Sequence, residues 1–183
     1  MVSEALAASL IACFQINVTA IDSFKPDIIV GSSFGGAVCQ LLLQQGVWVG
    51  PTLLLAPALR RVVDLIDMPT RQQYGDVLQM NNIPKPVASA TNLQKPAFKI
   101  RIIHGSQDKT IPVQDSLNFV SQQLSDDAKQ KNKNGSKLWM SEDTIQLTVI
   151  EGEGHRLRST FGEMKQEIIS LTGRRDKAST SEA

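Results

Sequence analysis

The chain is poor in cysteine, which argues against a disulfide-rich protein and against a protein built around structural zinc. Among 183 residues, only Cys13 and Cys39 are cysteines. Two thiols are too few for a disulfide framework. The sequence contains no CxxC pair and no Cys/His cluster, so it does not predict a structural zinc site. Either thiol could be a reactive nucleophile, but we interpret both as small buried apolar side chains.

The chain also has no large excess of positive or negative charge, and it has few aromatic side chains. The 19 Lys and Arg residues nearly balance the 18 Asp and Glu residues, and aromatic residues make up 5% of the chain. Nucleic-acid binding needs an excess of basic charge or stacking rings, so we expect no nucleic-acid partner. Apolar runs such as 53–56 are short, and the N-terminus carries Glu4 without a basic segment. We therefore expect no membrane span, no signal peptide and a cytoplasmic location.

The rest of the composition is typical of a globular chain, with 42% hydrophobic and 20% charged residues. At this length it predicts a single domain over residues 1–172. Short apolar segments alternate with segments of helical periodicity. The predicted strands are 28–30, 52–56, 98–104 and 144–150, and the predicted helices are 5–24, 37–45, 113–124 and 159–171. This alternation predicts the α/β class, with a parallel sheet inside a three-layer α/β/α sandwich.

Residues 57–96 interrupt the alternation, because they contain five prolines and only one short predicted helix, 60–67. We expect a cap-like excursion that covers a substrate pocket. Its apolar side chains would favour an acyl or alkyl group, although ordinary core packing explains them at least as well. The candidate wall residues are Leu65, Ile66, Met68, Tyr74 and Met80. Residues 126–143 are predicted to form a solvated loop, and residues 173–183 a mobile tail.

A GxSxG pattern, formed by Gly31, Ser33 and Gly35, follows the first predicted strand. In such a strand-to-helix turn, the serine hydroxyl is lifted out of the sheet. We expect glycine at both flanks because a Cβ there would collide with the neighbouring chain. The loop contains neither GxGxxG nor a Lys-Ser/Thr pair, so it indicates no dinucleotide site or P-loop. The pattern predicts Ser33 as a nucleophile, with a purely structural glycine turn as the alternative.

The loops after the third and fourth predicted strands contain an acid and a histidine. Asp108 lies where a carboxylate can orient an imidazole, although an aspartate there can instead cap a turn. His155 has no evident core role in the polar segment EGEGH and can act as a general base. His104 stands at a strand end and is interpreted as structural. Functional residues gather beyond the carboxyl ends of parallel strands, so we expect Ser33, Asp108 and His155 to converge.

Three segments together resemble the serine, acid and histidine motifs of the α/β-hydrolase superfamily: PDIIVGSSFGGAV, IRIIHGSQDKTIP and EGEGH. The resemblance is strongest to the small serine hydrolases and esterases and covers residues 10–172. It implies an α/β-hydrolase fold in which Ser33 is the nucleophile, Asp108 the acid and His155 the base. By its position at the start of the next helix, the Phe34 N–H is the expected oxyanion donor.

The sequence departs from the family's pattern at its start. Only 32 residues precede Ser33, and they have helical periodicity. The family has strands there, together with a loop that supplies a second oxyanion donor. We therefore expect an N-terminally shortened sheet and assign no second donor. The first strand would then lie at a sheet edge, and an exposed apolar edge favours self-association with a second copy.

Together the motifs predict a serine hydrolase that cleaves an ester or thioester through an acyl-enzyme. The expected partner is a small-molecule substrate, and the reaction requires no metal or organic cofactor. One alternative is a non-catalytic α/β-hydrolase-like binding protein or an inactive fragment, which the missing oxyanion loop favours. Acyl transfer or lactone opening on the same triad is a further alternative.

Overall fold

A computed structural model of the chain describes residues 2–78, Ile83, and residues 98–129 and 141–173. Each of the four predicted strands and four predicted helices is present, with boundaries shifted by a few residues. The strands are β1 (Ile29–Ser32), β2 (Thr52–Leu55), β3 (Ile100–Gly105) and β4 (Ile145–Ile150). The helices are α1 (Val2–Phe24), α2 (Phe34–Gln44), α3 (Leu59–Asp64), α4 (Met68–Tyr74), α5 (Val113–Lys129) and α6 (Phe161–Thr172).

The four strands form one parallel sheet in the order β1-β2-β3-β4. The register pairs Val30 with Leu53 and His104 with Val149. The predicted parallel sheet is therefore confirmed. Because all four strands run the same way, the loops that follow β1, β3 and β4 lie at one edge of the sheet.

The main hydrophobic core lies between one face of the sheet and helices α1, α2 and α5. Alternate β3 residues, Ile100 and Ile102, belong to this core together with Phe119 of α5. Helix α2 is buried from Gly36 to Gln44, because α1, α3 and the sheet all pack around it. A helix enclosed in this way needs apolar residues on several faces, which explains the run Leu41–Leu42–Leu43.

Helix α6 covers the opposite face of the sheet. A second, smaller core there contains Leu55 of β2, Ile103 of β3 and Leu171 of α6. Residues 102 and 103 are neighbours in β3 and belong to different cores, as the alternation of side chains along a strand requires. The sheet thus lies between two helical layers, which confirms the predicted three-layer α/β/α sandwich.

The segment after β2 is more helical than its prolines suggested. Where the sequence predicted one helix, 60–67, the structure has both α3 and α4. Asp67 caps α4, since its Oδ1 accepts a 2.9 Å hydrogen bond from the Thr70 N–H, and Pro69 lies in the first turn. Proline is favourable in a first helical turn, so it marks here the start of a helix. Helix α3 packs on α2, and α4 packs on α1.

Helix α1 is the one described segment that bears on the expectation of no membrane span. Among the residues described, the segment Ser3–Phe24 is long and apolar enough to cross a membrane by length and composition, with a mean hydropathy of 1.5. Polar residues interrupt its apolar residues, so no long apolar run in the sequence marks this helix. Within the fold, Ala7 and Leu10 are fully buried in the main core. A single helix of this kind near an N-terminus is weak support for a membrane span.

Both edges of the described sheet carry exposed apolar side chains. Val30 of β1 is 48% exposed and Val149 of β4 is 42% exposed. The expectation that β1 has no strand on its outer side is met within the described residues. Self-association through this edge stays a prediction, because an unpaired edge favours pairing with another strand. Light scattering that shows a monodisperse monomer at high protein concentration would contradict it.

Candidate active site

Ser33 lies in the sharp turn between β1 and α2. Its φ of 53° and ψ of −116° are values that residues other than glycine rarely adopt. The turn is held by the backbone of Ser33 itself: the N–H donates to the Leu55 carbonyl oxygen, and the carbonyl oxygen accepts from Ala37 and Ala58. These three bonds, of 2.9 to 3.1 Å, fix the turn against the end of β2 and the start of α2.

The two glycines of the pattern are not equivalent. A Cβ on Gly31 would lie 2.5 Å from the Gly35 carbonyl oxygen and 2.6 Å from Cys39 Sγ, so a side chain cannot fit there. A Cβ on Gly35 would have no heavy atom within 4 Å apart from its two chain neighbours and the backbone of its own helix. The expectation that both flanks exclude a side chain is therefore correct for Gly31 and wrong for Gly35. Gly35 is the second residue of α2 and is exposed, so a side chain there would extend into solvent.

The acid loop follows β3 directly. Asp108 Oδ1 accepts 2.8 Å hydrogen bonds from the backbone N–H groups of Thr110 and Ile111. Burial alone would raise the pKa of Asp108, but the hydrogen bonds from Ile111, His155 and Thr110 together hold it below its ordinary value. The carboxylate is therefore ionised at neutral pH.

The histidine loop follows β4 and is joined to the acid loop by one backbone–backbone hydrogen bond and one bond to a side-chain hydroxyl. The Gln107 N–H donates to the Glu153 carbonyl oxygen at 2.8 Å, and the Gly152 N–H donates to Ser106 Oγ at 3.0 Å. Gly105 lies beneath this junction, and a Cβ there would overlap the backbone of Glu153. The absence of a side chain at position 105 thus lets the two loops approach closely enough for their functional groups to meet.

The carboxylate of Glu153 joins the start of the histidine loop to the residues that follow His155. It accepts hydrogen bonds from the Arg158 N–H at 3.1 Å and from the hydroxyl and N–H of Ser159. The Ser159 hydroxyl is the largest cause of a lowered pKa at Glu153. The sequence alone indicates no role for Gly105 or Glu153, because their contacts depend on how two distant loops pack.

The three predicted residues lie in hydrogen-bonding contact. His155 Nε2 is 2.9 Å from Ser33 Oγ, and His155 Nδ1 is 2.7 Å from Asp108 Oδ2. A carboxylate accepts only, so Nδ1 carries the ring proton and Nε2 accepts the serine hydroxyl proton. Ser33 and His155 are half-buried, whereas the Asp108 side chain is fully enclosed. The arrangement can remove a proton from an accessible hydroxyl and stabilise the resulting imidazolium.

The N–H of Phe34 lies at the N-terminal end of α2, directly after Ser33. Phe34 is the first residue of α2, and Ala37 is the first residue of the helix to donate to the Ser33 carbonyl oxygen. The Phe34 N–H therefore has no partner within the helix, as is general for a first turn. The positive end of the helix dipole lies at the same point and favours negative charge.

The candidate pocket residues lie at different depths. Leu65 and Met68 are 54% and 60% exposed, Tyr74 is half-buried, and Ile66, at 1% exposed, packs in the main core. Ile66 thus offers no surface to a ligand, and Met80 lies outside the described residues. Their role as pocket walls stays a prediction. A cavity of about 400 Å³ opens elsewhere, beside α6, and is lined by Ile103, Thr148, Gly162, Glu163, Gln166 and Glu167.

No metal centre is evident in the part of the chain that the structure describes. Groups of three or more His, Cys, Asp or Glu side chains arranged to hold an ion do not occur there. Cys39 is buried under Gly31, and burial raises the pKa of its thiol to about 11. This agrees with the interpretation of Cys39 as an apolar packing residue.

The structure resembles solved α/β-hydrolases. A protein of Xanthomonas campestris pv. campestris, described provisionally as a hydrolase of the alpha/beta superfamily, matches with a TM-score of 0.50 and 14% identity over 90% of this chain and 67% of that one. An alpha-beta serine hydrolase homologue from Coxiella burnetii matches with a TM-score of 0.41 and 15% identity, over 78% and 47% of the two chains. Esterase PE8 matches with a TM-score of 0.43 and 14% identity, over 79% and 49%.

These likenesses concern the fold. The first of them confirms that the chain has the α/β-hydrolase fold that the sequence motifs predicted. The chain spans two thirds of that protein's length and about half of the other two. No protein-family model matches the sequence, and no curated protein matches it.

Proposed function

We propose that the chain carries the catalytic site of a serine hydrolase acting on an ester or thioester. The observation that supports it is the pair of hydrogen bonds that join Ser33 to His155 and His155 to Asp108, at 2.9 and 2.7 Å. A nucleophile bonded to a base, which is itself oriented by an acid, is the arrangement that activates a serine. The strained backbone of Ser33 adds weight, because such strain concentrates at active sites.

The first half of the reaction forms an acyl-enzyme. Ser33 Oγ attacks the substrate carbonyl carbon while its proton passes to His155 Nε2, and the carbonyl electrons move onto the oxygen. The Phe34 N–H donates to this oxyanion. When the carbonyl re-forms, the bond to the leaving oxygen or sulfur breaks, and His155 gives its proton to that atom. Asp108 stays ionised throughout and stabilises the imidazolium.

The second half regenerates the serine. A water molecule gives a proton to His155 Nε2 and attacks the acyl carbon. The tetrahedral intermediate then collapses, the bond to Ser33 Oγ breaks, and Oγ recovers the proton from His155. The product is a carboxylic acid, and each proton transfer uses a group of this chain. Acyl transfer or lactone opening would follow the same first half with a different acceptor or leaving group.

Steady-state and burst kinetics with p-nitrophenyl acetate and butyrate test the proposal. The wild type is expected to hydrolyse at least one of them with a burst equal to one nitrophenolate per chain. Ser33→Ala should abolish turnover, with a loss on the order of 10⁶-fold in kcat for a triad serine. Ser32→Ala is the matched control, because Ser32 is the exposed neighbour of Ser33 in β1, and it should retain turnover.

A second candidate function is a non-catalytic binding protein on the same fold. It is favoured by the single oxyanion donor assigned to this site, since loss of one donor in comparable hydrolases costs roughly 10²–10³ in kcat. A folded wild type that releases no nitrophenolate above the Ser33→Ala background would favour this candidate and refute the hydrolase.

A further inference from the structure

The proposed mechanism does not use one buried titratable side chain, that of His104 at the end of β3. Its residue is 0% exposed, and both ring nitrogens have partners. Nδ1 lies 2.7 Å from Ser116 Oγ in α5. Nε2 lies 2.9 Å from the Ile111 carbonyl oxygen and 3.4 Å from Asp108 Oδ2. The ring therefore connects β3, the acid loop and α5.

The partners of His104 determine where its proton lies. Both atoms facing Nε2 are acceptors, a carbonyl oxygen and a carboxylate oxygen. A proton on Nε2 bonds to them, whereas a lone pair there would be repelled by both. In the neutral ring Nδ1 then accepts from the Ser116 hydroxyl, which can turn to donate. His104 is thus held as the Nε2–H tautomer.

Asp108 is consequently placed between two imidazoles. Its Oδ2 receives the Nδ1–H of His155 at 2.7 Å and faces the Nε2–H of His104 at 3.4 Å. The order hydroxyl, imidazole, carboxylate occurs on both sides, as Ser33–His155–Asp108 and as Ser116–His104–Asp108. The second hydroxyl is 1% exposed and cannot meet a substrate. This second relay therefore acts on the carboxylate alone.

The same ring also supports the loop that orients Asp108. The Ile111 N–H donates to Asp108 Oδ1 while the Ile111 carbonyl accepts from His104 Nε2. Through its N–H and its carbonyl, Ile111 thus connects the Asp108 carboxylate to the buried ring of His104. If the ring no longer donates, Ile111 loses the bond that holds its carbonyl, and the carboxylate loses an electrostatic partner in an enclosed site.

We propose that His104 is a positioning residue, which holds Asp108 in the orientation where Oδ2 meets His155. This inference rests on the proposed hydrolase function and extends it to a residue that does not touch the substrate. A positional error of about 1 Å in a catalytic group can cost on the order of 10² in rate. The cost should appear in kcat, with KM unchanged, because substrate binding does not involve this ring.

Two substitutions test the roles of the two ring nitrogens of His104 separately. In His104→Gln the amide nitrogen is separated from Cβ by the same number of bonds as Nε2 of the histidine. It can therefore still donate to Ile111 and Asp108. In His104→Asn the amide stands at the distance of Nδ1, so it keeps a partner for Ser116 and loses the Nε2 donor. We expect His104→Gln to retain kcat within about 10-fold and His104→Asn to lose about 10². Thermal unfolding of both confirms that each is folded at the assay temperature.

Equal kcat values for the two variants would overturn the proposal, as would greater loss in the Gln variant. A purely structural role would lower the melting temperature of both and leave the kcat of the folded fraction alike. Absence of turnover in the wild type would instead refute the proposed hydrolase. In that case the comparison is made on the downfield NMR resonance of the His155 Nδ1 proton, which reports its bond to Asp108. That resonance should persist in the Gln variant and be lost in the Asn variant.

Should neither variant fold, the wild type itself tests the proposal. Long-range proton–nitrogen correlation spectra of the imidazoles assign the tautomer of each histidine. The proposal requires the Nε2–H tautomer for His104 and the Nδ1–H tautomer for His155. A proton on His104 Nδ1 alone would refute it, because the ring could then donate to neither Ile111 nor Asp108.

Discussion

The close approach of α2 to β1 makes Gly31→Ala a direct test of the nucleophile turn. The added methyl would lie 2.5 Å from the Gly35 carbonyl oxygen and 2.6 Å from Cys39 Sγ. Favourable contacts between heavy atoms lie near 3.5–4.0 Å, so the helix must shift by about 1 Å. Overpacking of this kind costs about 1–3 kcal/mol. At roughly 2–4 °C per kcal/mol for a chain of this size, the melting temperature should fall by about 2–12 °C.

Gly35→Ala is the matched control in the same turn. Apart from its two chain neighbours and the backbone of its own helix, no heavy atom lies within 4 Å of the position that its methyl group would take. Alanine in a helix is favoured over glycine by about 0.5–1 kcal/mol, so this variant should unfold at the same or a higher temperature. Adding Cys39→Ala to Gly31→Ala removes one of the three clashing atoms, the Cys39 Sγ, and should recover part of the loss.

Thermal unfolding followed by circular dichroism measures these stabilities, and turnover of a p-nitrophenyl ester measures the effect on Ser33. A shift of α2 moves Ser33 relative to His155, so Gly31→Ala should lower kcat by more than Gly35→Ala does. If Gly31→Ala unfolds at the same temperature as Gly35→Ala, the steric explanation of the first glycine is wrong.

Three further predictions concern titration and packing. Because folding lowers the pKa of Asp108, its carboxylate stabilises the folded state above about pH 4, and this stabilisation is lost as pH falls through the folded pKa. Urea midpoints measured between pH 6 and 3 should therefore fall in the wild type and fall less in Asp108→Asn. With its pKa raised to about 11, the Cys39 thiol should react with Ellman's reagent at pH 7.5 only after unfolding, measured in a Cys13→Ser background; reaction in the native state would contradict its burial. Thr52→Val should lower the urea midpoint by the equivalent of about 1–3 kcal/mol, because Trp48 Nε1 then loses its acceptor at 2.9 Å; an unchanged midpoint would mean that the indole finds another partner.

Much of the fold was predictable because local signals agreed with one another. The apolar segments 28–30 and 52–56, which lie beside Pro or Gly residues, are strands. Gly46 follows the predicted helix 37–45 and has a φ of 66°, which suits a glycine at the end of a helix. The three candidate triad residues lie in the loops directly after predicted strands, and that position identified them. The inference depends only on parallel strands ending at one edge, which is a property of topology.

The features that the sequence did not predict depend on the approach of distant segments or on weak local signals. Gly105 and Glu153 act between two loops that lie far apart in the sequence, and no spacing rule links them. Helix α4 was missed because the five prolines of residues 57–96 indicated an irregular segment, whereas Pro69 lies in the first turn of a helix. Helix α1 was overlooked as a membrane-span candidate because polar residues such as Ser9, Gln15 and Asn17 divide its apolar residues into short runs.

The central claim is that His155 activates Ser33 specifically, and covalent labelling tests it most directly. A fluorophosphonate probe, followed by digestion and mass spectrometry, identifies the serine that attacks phosphorus. We predict one adduct, on Ser33, which is retained in Ser32→Ala, slowed in His155→Ala and absent in Ser33→Ala. An adduct on Ser32, labelling that survives Ser33→Ala, or a folded wild type that remains unlabelled would contradict the claim.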